Sequence, residues 1–200
     1  ASRRRAGYFF HHVVQLEPGA SLELNEIYEE ESRSEDLFPS YFLGHETSLL
    51  LAENSQLKHS LLLADPKGAY HFGETRVQQK RESSLSSTAM ITGGRITRQR
   101  VQVDLQEPGS RCSMDGLYLL NEGQHSDLII DMNHRAPHCE SRQFFKGLMS
   151  GASRGVFQGL VFVDPKATKT DAYQLNKNLL LGEKSRADSK PQLQIETDDV

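Results

Sequence analysis

The densest run of side chains able to do chemistry is His134-Arg-Ala-Pro-His138-Cys139. Imidazole and thiolate are good ligands for zinc or iron, so His138 and Cys139 stand first as candidate metal ligands. A closed tetrahedral centre needs four donors, and the nearest extras, His125 and Asp131, are not placed by spacing alone. An iron–sulfur cluster held within the chain normally takes about four cysteines; the chain has two, Cys112 and Cys139. The competing reading is structural: Pro137 makes a turn, Cys139 is a small buried hydrophobe, and the histidines hydrogen-bond on a rim. His11 and His12, with His59 and His71, could form a second ladder along one face, although such residues are more often satisfied surface or core histidines. The adjacent carboxylates Glu35-Asp36 and Asp198-Asp199 point to opposite faces of any strand that carries them, so neither pair shares a substrate. The sequence has no G-x-S-x-G, no P-loop, no G-x-G-x-x-G and no H-E-x-x-H.

The elements that must carry these residues read as short strands. Val101, Val103 and Leu105 alternate with Gln102, Asp104 and Gln106, and Leu22 and Leu24 alternate with Glu23 and Asn25. Leu193 and Ile195 likewise alternate with Gln192, Gln194 and Glu196. A period of two predicts one buried and one wet face per strand. The best helical candidate is Leu22 to Leu37, but its acidic run Glu29-Glu30-Glu31 reads more readily as a solvated loop or edge. Pro and Gly punctuate the strands as turn residues. The chain also repeats itself. Ser48-Leu-Leu-Leu-Ala52 recurs twelve residues later as Ser60-Leu-Leu-Leu-Ala64. Glu17-Pro-Gly-Ala-Ser21 is echoed by Glu107-Pro-Gly-Ser-Arg111, and Asp65-Pro-Lys67 by Asp164-Pro-Lys166. Many short strands and turns suggest a sandwich, a barrel or a β-solenoid. Twelve-residue strand-plus-turn units favour the solenoid, in which each coil buries its inner face by stacking on the next, although periodicity alone does not separate it from an irregular double-sheet fold. Gly93-Gly94 and the glycines from Gly147 to Gly159 fit turns or close packing, and Lys166, Lys169, Lys177, Lys184 and Lys190 fit a protected outer face.

Composition agrees with a thin core. Of 200 residues, 36% are hydrophobic and 25% charged, with a formal net charge of −4 and a mean hydropathy of −0.56. The pI near 6.1 argues against a nucleic-acid binder, and no stretch has the ~18 apolar residues of a membrane helix. Arg3-Arg4-Arg5 before Tyr8-Phe9-Phe10 imitates a signal peptide, but His11 and His12 break the apolar run, so the segment reads as the start of a strand. Two cysteines make no disulfide framework, which favours a reducing, cytoplasmic setting. The abrupt start and finish suggest a piece of a longer protein.

The second half carries an ordered set of further motifs. They run Gly116-Leu-Tyr-Leu-Leu-Asn121 with Gln124-His125, Pro137-His138-Cys139-Glu-Ser-Arg-Gln143 with Lys146-Gly147, and Ser153-Arg-Gly-Val-Phe-Gln-Gly159. Lys169-Thr-Asp-Ala-Tyr-Gln174, Asn176-Lys-Asn-Leu-Leu-Leu181 and Lys190-Pro-Gln-Leu-Gln-Ile195 with Asp198-Asp199-Val200 complete it. In this order, over about Arg76 to Val200, the chain resembles the core of the SufB/SufD family of iron–sulfur cluster assembly proteins, and its SufD-like members most.

That resemblance implies an all-β fold, a right-handed parallel β-helix spanning 1–200, with the family's flanking helical regions outside this chain. It implies a non-catalytic scaffold subunit that pairs with a SufB-like subunit and a SufC-like ATPase and supports iron entry. No cofactor would be held stably; iron or a nascent cluster would pass through the full complex. In the family, the Asp-Asp-Val run is followed by Lys-Cys-Ser-His-Gly, which the chain stops short of at Val200. What carries over is Cys139 in its family context and the last strands near the partner interface, with Gln192, Gln194, Glu196 and Asp198. Open solenoid edges also make a homodimer of the isolated piece plausible. The family setting is cytoplasmic, or plastid in a plant, without nucleic acid or membrane. Two other classes remain open on the residues alone: a secreted-type β-helix enzyme acting on polysaccharide, and a free-standing metal-binding protein using His134, His138 and Cys139.

Overall fold

A computed structural model describes residues 6–29 and 41–199. Every element in it is a strand: β1 (Ala6–Leu16), β2 (Ser21–Glu29), β3 (Tyr41–Leu51), β4 (Gln56–Ala64), β5 (Tyr70–Gln79), β6 (Ser84–Ile91), β7 (Ile96–Leu105), β8 (Arg111–Leu120), β9 (His125–His134), β10 (Glu140–Met149), β11 (Arg154–Val163), β12 (Asp171–Leu180) and β13 (Arg186–Ile195). Odd strands form a seven-stranded sheet and even strands a six-stranded one, and all pairings are parallel. The chain therefore winds as a β-solenoid, laying one strand of each coil in each sheet. Ala6–Leu16 is a strand as read from sequence. The helical candidate is replaced by β2 as far as Glu29, and the rest of it, with Glu35-Asp36, lies outside the described residues.

Register shows what the twelve-residue repeat is. Leu49 pairs with Val77, Val77 with Val103, Val103 with Met132, and Met132 with Val161, so a full coil is more than twice the repeat. The two Ser-Leu-Leu-Leu-Ala blocks lie in β3 and β4, one in each sheet. Twelve residues thus carry the chain from one sheet to the other, a little less than half a coil. The Asp-Pro-Lys echo has no such meaning: Asp65 follows β4 and Asp164 follows β11, so the two copies turn opposite corners.

Leu49, Val77, Val103, Met132 and Val161 form one inward column, all buried, and Leu57, Leu85 and Cys112 another across the core. Side chains one coil apart stand directly over one another in a parallel ladder, so each apolar residue is covered above and below as well as across. Phe145 and Phe157, both fully buried with ring centroids 5.4 Å apart, fill the middle of the core. Gly116 is required there, because a Cβ would lie 2.2 Å from the Phe145 ring. On the outside, Arg100–Asp131 and Arg154–Asp188 link neighbouring coils. The five lysines noted above are all exposed.

The alternation rule fails at β13. Leu193 and Ile195 are 64% and 40% exposed, where a buried face was expected. β13 pairs with β11 alone, so its inner side chains have cover on one side only. Leu179, Leu180 and Leu181 beside it are also exposed.

Candidate functional site

The corner from the seven-stranded to the six-stranded sheet explains the His138–Cys139 pair. One residue per coil stands there at positive φ: Gly19 (73°), Asn54 (57°), Glu82 (53°), Gly109 (75°), His138 (59°) and Lys169 (56°). Each N–H donates to the carbonyl just before its counterpart in the next coil: Gly19 to Glu53, Asn54 to Arg81, Glu82 to Pro108, Gly109 to Pro137, and His138 to Thr168. The left-handed conformation is thus dictated by a stacked turn, and a residue other than glycine bears its strain for that bond.

The position after it is buried in five successive coils: Ser55, Ser83, Ser110, Cys139 and Thr170. Each hydroxyl donates back across its turn, Ser55 to the Ala52 carbonyl (2.7 Å), Ser83 to Lys80 (2.7 Å), Ser110 to Glu107 (3.1 Å) and Thr170 to Ala167 (2.7 Å). Cys139 occupies the same slot. Its Sγ lies 3.2 Å from Ser110 Oγ, 3.4 Å from the Glu107 carbonyl and 3.7 Å from that of Pro137. His138 is exposed and Cys139 wholly buried, so the pair does not converge on one point.

The other members of that run have separate partners. His134 is fully buried in the core, with Nε2 2.8 Å from Ser141 Oγ and no partner for Nδ1; burial pushes it down to about 4. His125 bonds Asp127 at 2.8 Å, and Asp131 accepts from Arg100 at 2.9 Å. Among the described residues no three His, Cys, Asp or Glu side chains are grouped to hold a metal ion. Cys112 is a core residue whose thiol burial raises to about 12, which removes the thiolate that reactivity requires.

Gln192, Gln194, Glu196 and Asp198 are all exposed along and just beyond β13. Gln194 donates to Glu196 at 2.8 Å, and the Lys169 N–H donates to the Asp199 carbonyl at 2.7 Å. Arg154 grips Asp188 from β11 through Nε at 2.9 Å. β13 is thus anchored by one edge, while its other edge, four polar side chains and two inner apolar ones face outward. Such an edge is a template for pairing.

The densest polar cluster was only partly visible in sequence. His59 and His71 do lie inside the first coils, His12 reaches the same cluster from an exposed position on β1, and His11 stays outside. They gather with His45 around two carboxylates that spacing did not single out. Glu26 accepts from His12 Nδ1 (2.9 Å), His59 Nε2 (2.9 Å) and Thr47 (2.8 Å). Burial opposes ionisation of Glu26, but hydrogen bonds from His59, His12 and Thr47 outweigh it and bring the carboxyl down to about 2. Asp65 accepts from His71 Nδ1 (2.7 Å) and Tyr41 (2.8 Å), and His71 Nε2 meets His45 Nδ1 at 2.8 Å. Tyr28 stacks on His45 with centroids 4.6 Å apart, and burial beside Glu26 raises its hydroxyl. A period-two reading assigns inward positions to apolar residues, so Glu26, His45 and Asp65 gave no signal beyond their charge.

Comparison with known proteins fits this architecture. The family model for the SufBD core domain of SUF system FeS cluster assembly matches residues 1–200. The chain is 30% identical over 160 residues to iron–sulfur cluster assembly protein SufD of Escherichia coli, covering 80% of this chain and 38% of that protein. It is 32% identical over 162 residues to a SufBD family iron–sulfur cluster assembly protein of Synechocystis, covering 80% and 35%. Over 165 residues it is 32% identical to the chloroplastic protein ABCI7 of Arabidopsis thaliana, covering 80% and 34%. The chain thus spans little more than a third of the length of these relatives. A parallel solenoid whose whole length answers to that model places the chain in the SufBD core-domain family of the SUF system.

Proposed function

We propose that this chain is the solenoid core of a non-catalytic scaffold subunit for iron–sulfur cluster assembly, working with a SufB-like subunit and a SufC-like ATPase. The observation that carries this is the family match along all 200 residues, and a relative carries the name SufD. The polysaccharide-enzyme alternative is not favoured: the family match points elsewhere. In this reading Cys139 serves a turn column, so the metal-protein alternative is not favoured either. Iron, or a cluster under construction, is cargo of the complete assembly in this reading. The compartment would be cytoplasm or plastid; among the described residues no helix is long and apolar enough to cross a membrane.

The partner-facing surface in this reading is β13, through Gln192, Gln194, Glu196 and Asp198, because these groups border an unpaired edge. In isolation the same edge fits a second copy of the chain. The test is co-purification of the complete protein with SufB- and SufC-like partners. Both should be retained, and Leu193→Asp should weaken capture of the SufB-like subunit while sparing the SufC-like one. Capture of neither partner by the unaltered protein overturns the assignment; an unchanged Leu193→Asp complex moves the interface away from β13.

A further inference from the structure

The interior of the first coils holds a chain of polar groups with one unsolved end. With Asp65 as carboxylate and the His71 ring neutral, His71 donates its Nδ1–H to Asp65 and accepts at Nε2. His45 then donates from Nδ1 to His71, leaving a bare lone pair on His45 Nε2. That nitrogen has no partner, and His45 is 5% exposed. Gln99 Oε1 has no partner either, and Gln99 is 1% exposed; its amide nitrogen donates instead to Thr75 Oγ1 at 3.0 Å.

The two bare acceptors occupy one niche, the space above Gly73. A Cβ on Gly73 would lie 1.9 Å from Gln99 Oε1 and 2.6 Å from His45 Nε2, so only glycine leaves room for both. Two buried acceptors without a donor are costly, and the niche has two remedies. A proton on His45 Nε2 makes it a donor to Gln99 Oε1. Alternatively the amide turns over, so that its nitrogen donates to the neutral His45 and its oxygen accepts from the Thr75 hydroxyl. Each remedy satisfies every group in the chain.

We propose that His45 and Gln99 form a proton-binding site inside the solenoid, in which the Gln99 amide turns over as His45 gains or loses a proton while the coils stay folded. The groups facing His45 set its balance. His71 from β5 and His12 from β1 oppose a positive ring, Glu26 from β2 and Asp65 after β4 favour it, and Tyr28 from β2 covers its face. Burial weighs most and, with His71, holds His45 down to about 4. A charged ring is reached because Glu26 and, behind His71, Asp65 supply negative charge and Gln99 can accept. The site is independent of the scaffold reading above.

The test is a pH titration of the complete protein, labelled with 15N in histidine and glutamine side chains and followed by NMR from pH 8 downward. At pH 8, His45 and His71 should both carry their proton on Nδ1. On acidification His45 should gain its second proton while the β3, β5 and β7 amides keep their native positions. The Gln99 side-chain amide should shift with the same midpoint. Gln99→Glu, which sets a carboxylate against Nε2, should raise the proton affinity of His45 by about tenfold or more, one pH unit. Protonation of His45 only with loss of native signals overturns the proposal, and so does a Gln99 amide that stays still while His45 titrates. If Gln99→Glu does not fold, Gln99→Met should lower the midpoint, because the charged ring loses the stronger of the two bonds; an unchanged midpoint overturns the proposal.

Discussion

The first coils and the middle coils of this solenoid share a backbone and an apolar column but differ in what surrounds it. Between β1 and β5 the interior adds Glu26, His45, His59, Asp65 and His71, all buried, to leucines such as Leu49 and Leu57. Between β8 and β11 it holds Met114, Ile130, Met132, Phe145 and Phe157, with His134 and Gln143 among fewer buried ionisable or amide groups. A parallel ladder satisfies its own backbone, so the coil geometry does not care which kind of side chain points inward. The energetics do care. Apolar filling gains from every Å² removed from water, whereas polar filling roughly breaks even and only when each group finds a partner. The middle coils should therefore carry more of the stability, and the first coils, together with His134 of β9, its dependence on pH.

The largest effect expected from a single change is at Phe145. Its ring is fully buried, packs on Phe157 and fills the space left by Gly116. Phe145→Ala should cost about 3–5 kcal/mol, read as a lowered midpoint in urea. A loss below about 1 kcal/mol would mean that the coils do not depend on this aromatic centre, and the comparison would fail.

Acidification is next, taken group by group. His45 and His134 are held to about 4 by burial, against an ordinary 6.5. The unfolded chain thus takes up these protons first, so their contribution is complete above pH 6.5 and is lost as pH falls from 6.5 to 4. Each is on the order of 3 kcal/mol. Glu26, brought down from 4.5 to about 2, keeps its contribution above pH 4.5 and loses it between 4.5 and 2. Stability by urea unfolding should be flat above about pH 7 and fall in two stages below it. Glu26→Gln should remove the lower stage and, by withdrawing a charge that favours a positive His45, extend the upper one toward lower pH. A curve unchanged by that substitution would separate the polar interior from the acid response.

How much of this could be read from the sequence follows from what period-two patterns encode. Val101, Val103 and Leu105 announce a strand and its buried face because apolar and polar residues alternate there. His59, Glu26 and His45 are inward on the same period, yet polarity makes them look outward; only their partners, far along the chain, reverse the sign. The turn column was legible in principle. Asn54-Ser55, Glu82-Ser83, Gly109-Ser110, His138-Cys139 and Lys169-Thr170 recur once per coil, but no residue type repeats strictly. Only the shared φ and the stacked hydrogen bonds reveal a common role. The Leu193 and Ile195 pattern was read correctly as a strand and wrongly as covered, since alternation reports which side faces in and not whether anything lies over it.

A smaller effect tests what the two regions share. The corner column runs through both, and His138 carries left-handed strain in it. His138→Gly removes that strain and gives back part of the gain as chain entropy, so stability should rise by about 0.5–1 kcal/mol. His138→Val, branched at Cβ, should lose more than that. Equal stability of the glycine and valine variants would show that the turn is not held left-handed by the stack.

The smallest effect is at Cys139, and its smallness is the point. If the residue is the thiol member of a Ser/Thr column, Cys139→Ser supplies the hydroxyl that Ser55, Ser83, Ser110 and Thr170 already use in the same slot. The hydroxyl is smaller and bonds better than a thiol, so the lost apolar contact and the gained hydrogen bond offset, and stability should stay within about 0.5 kcal/mol. Cys139→Leu, which overfills a wholly buried corner, should cost about 1–3 kcal/mol. Iron and zinc content after purification should be the same for the serine variant and the unaltered protein. A serine variant that unfolded readily, or one that shed bound metal, would take Cys139 out of the turn column and restore it as a ligand. An unchanged serine variant would extend the corner chemistry of the first coils unbroken into the apolar middle, leaving the filling of the core as the difference between them.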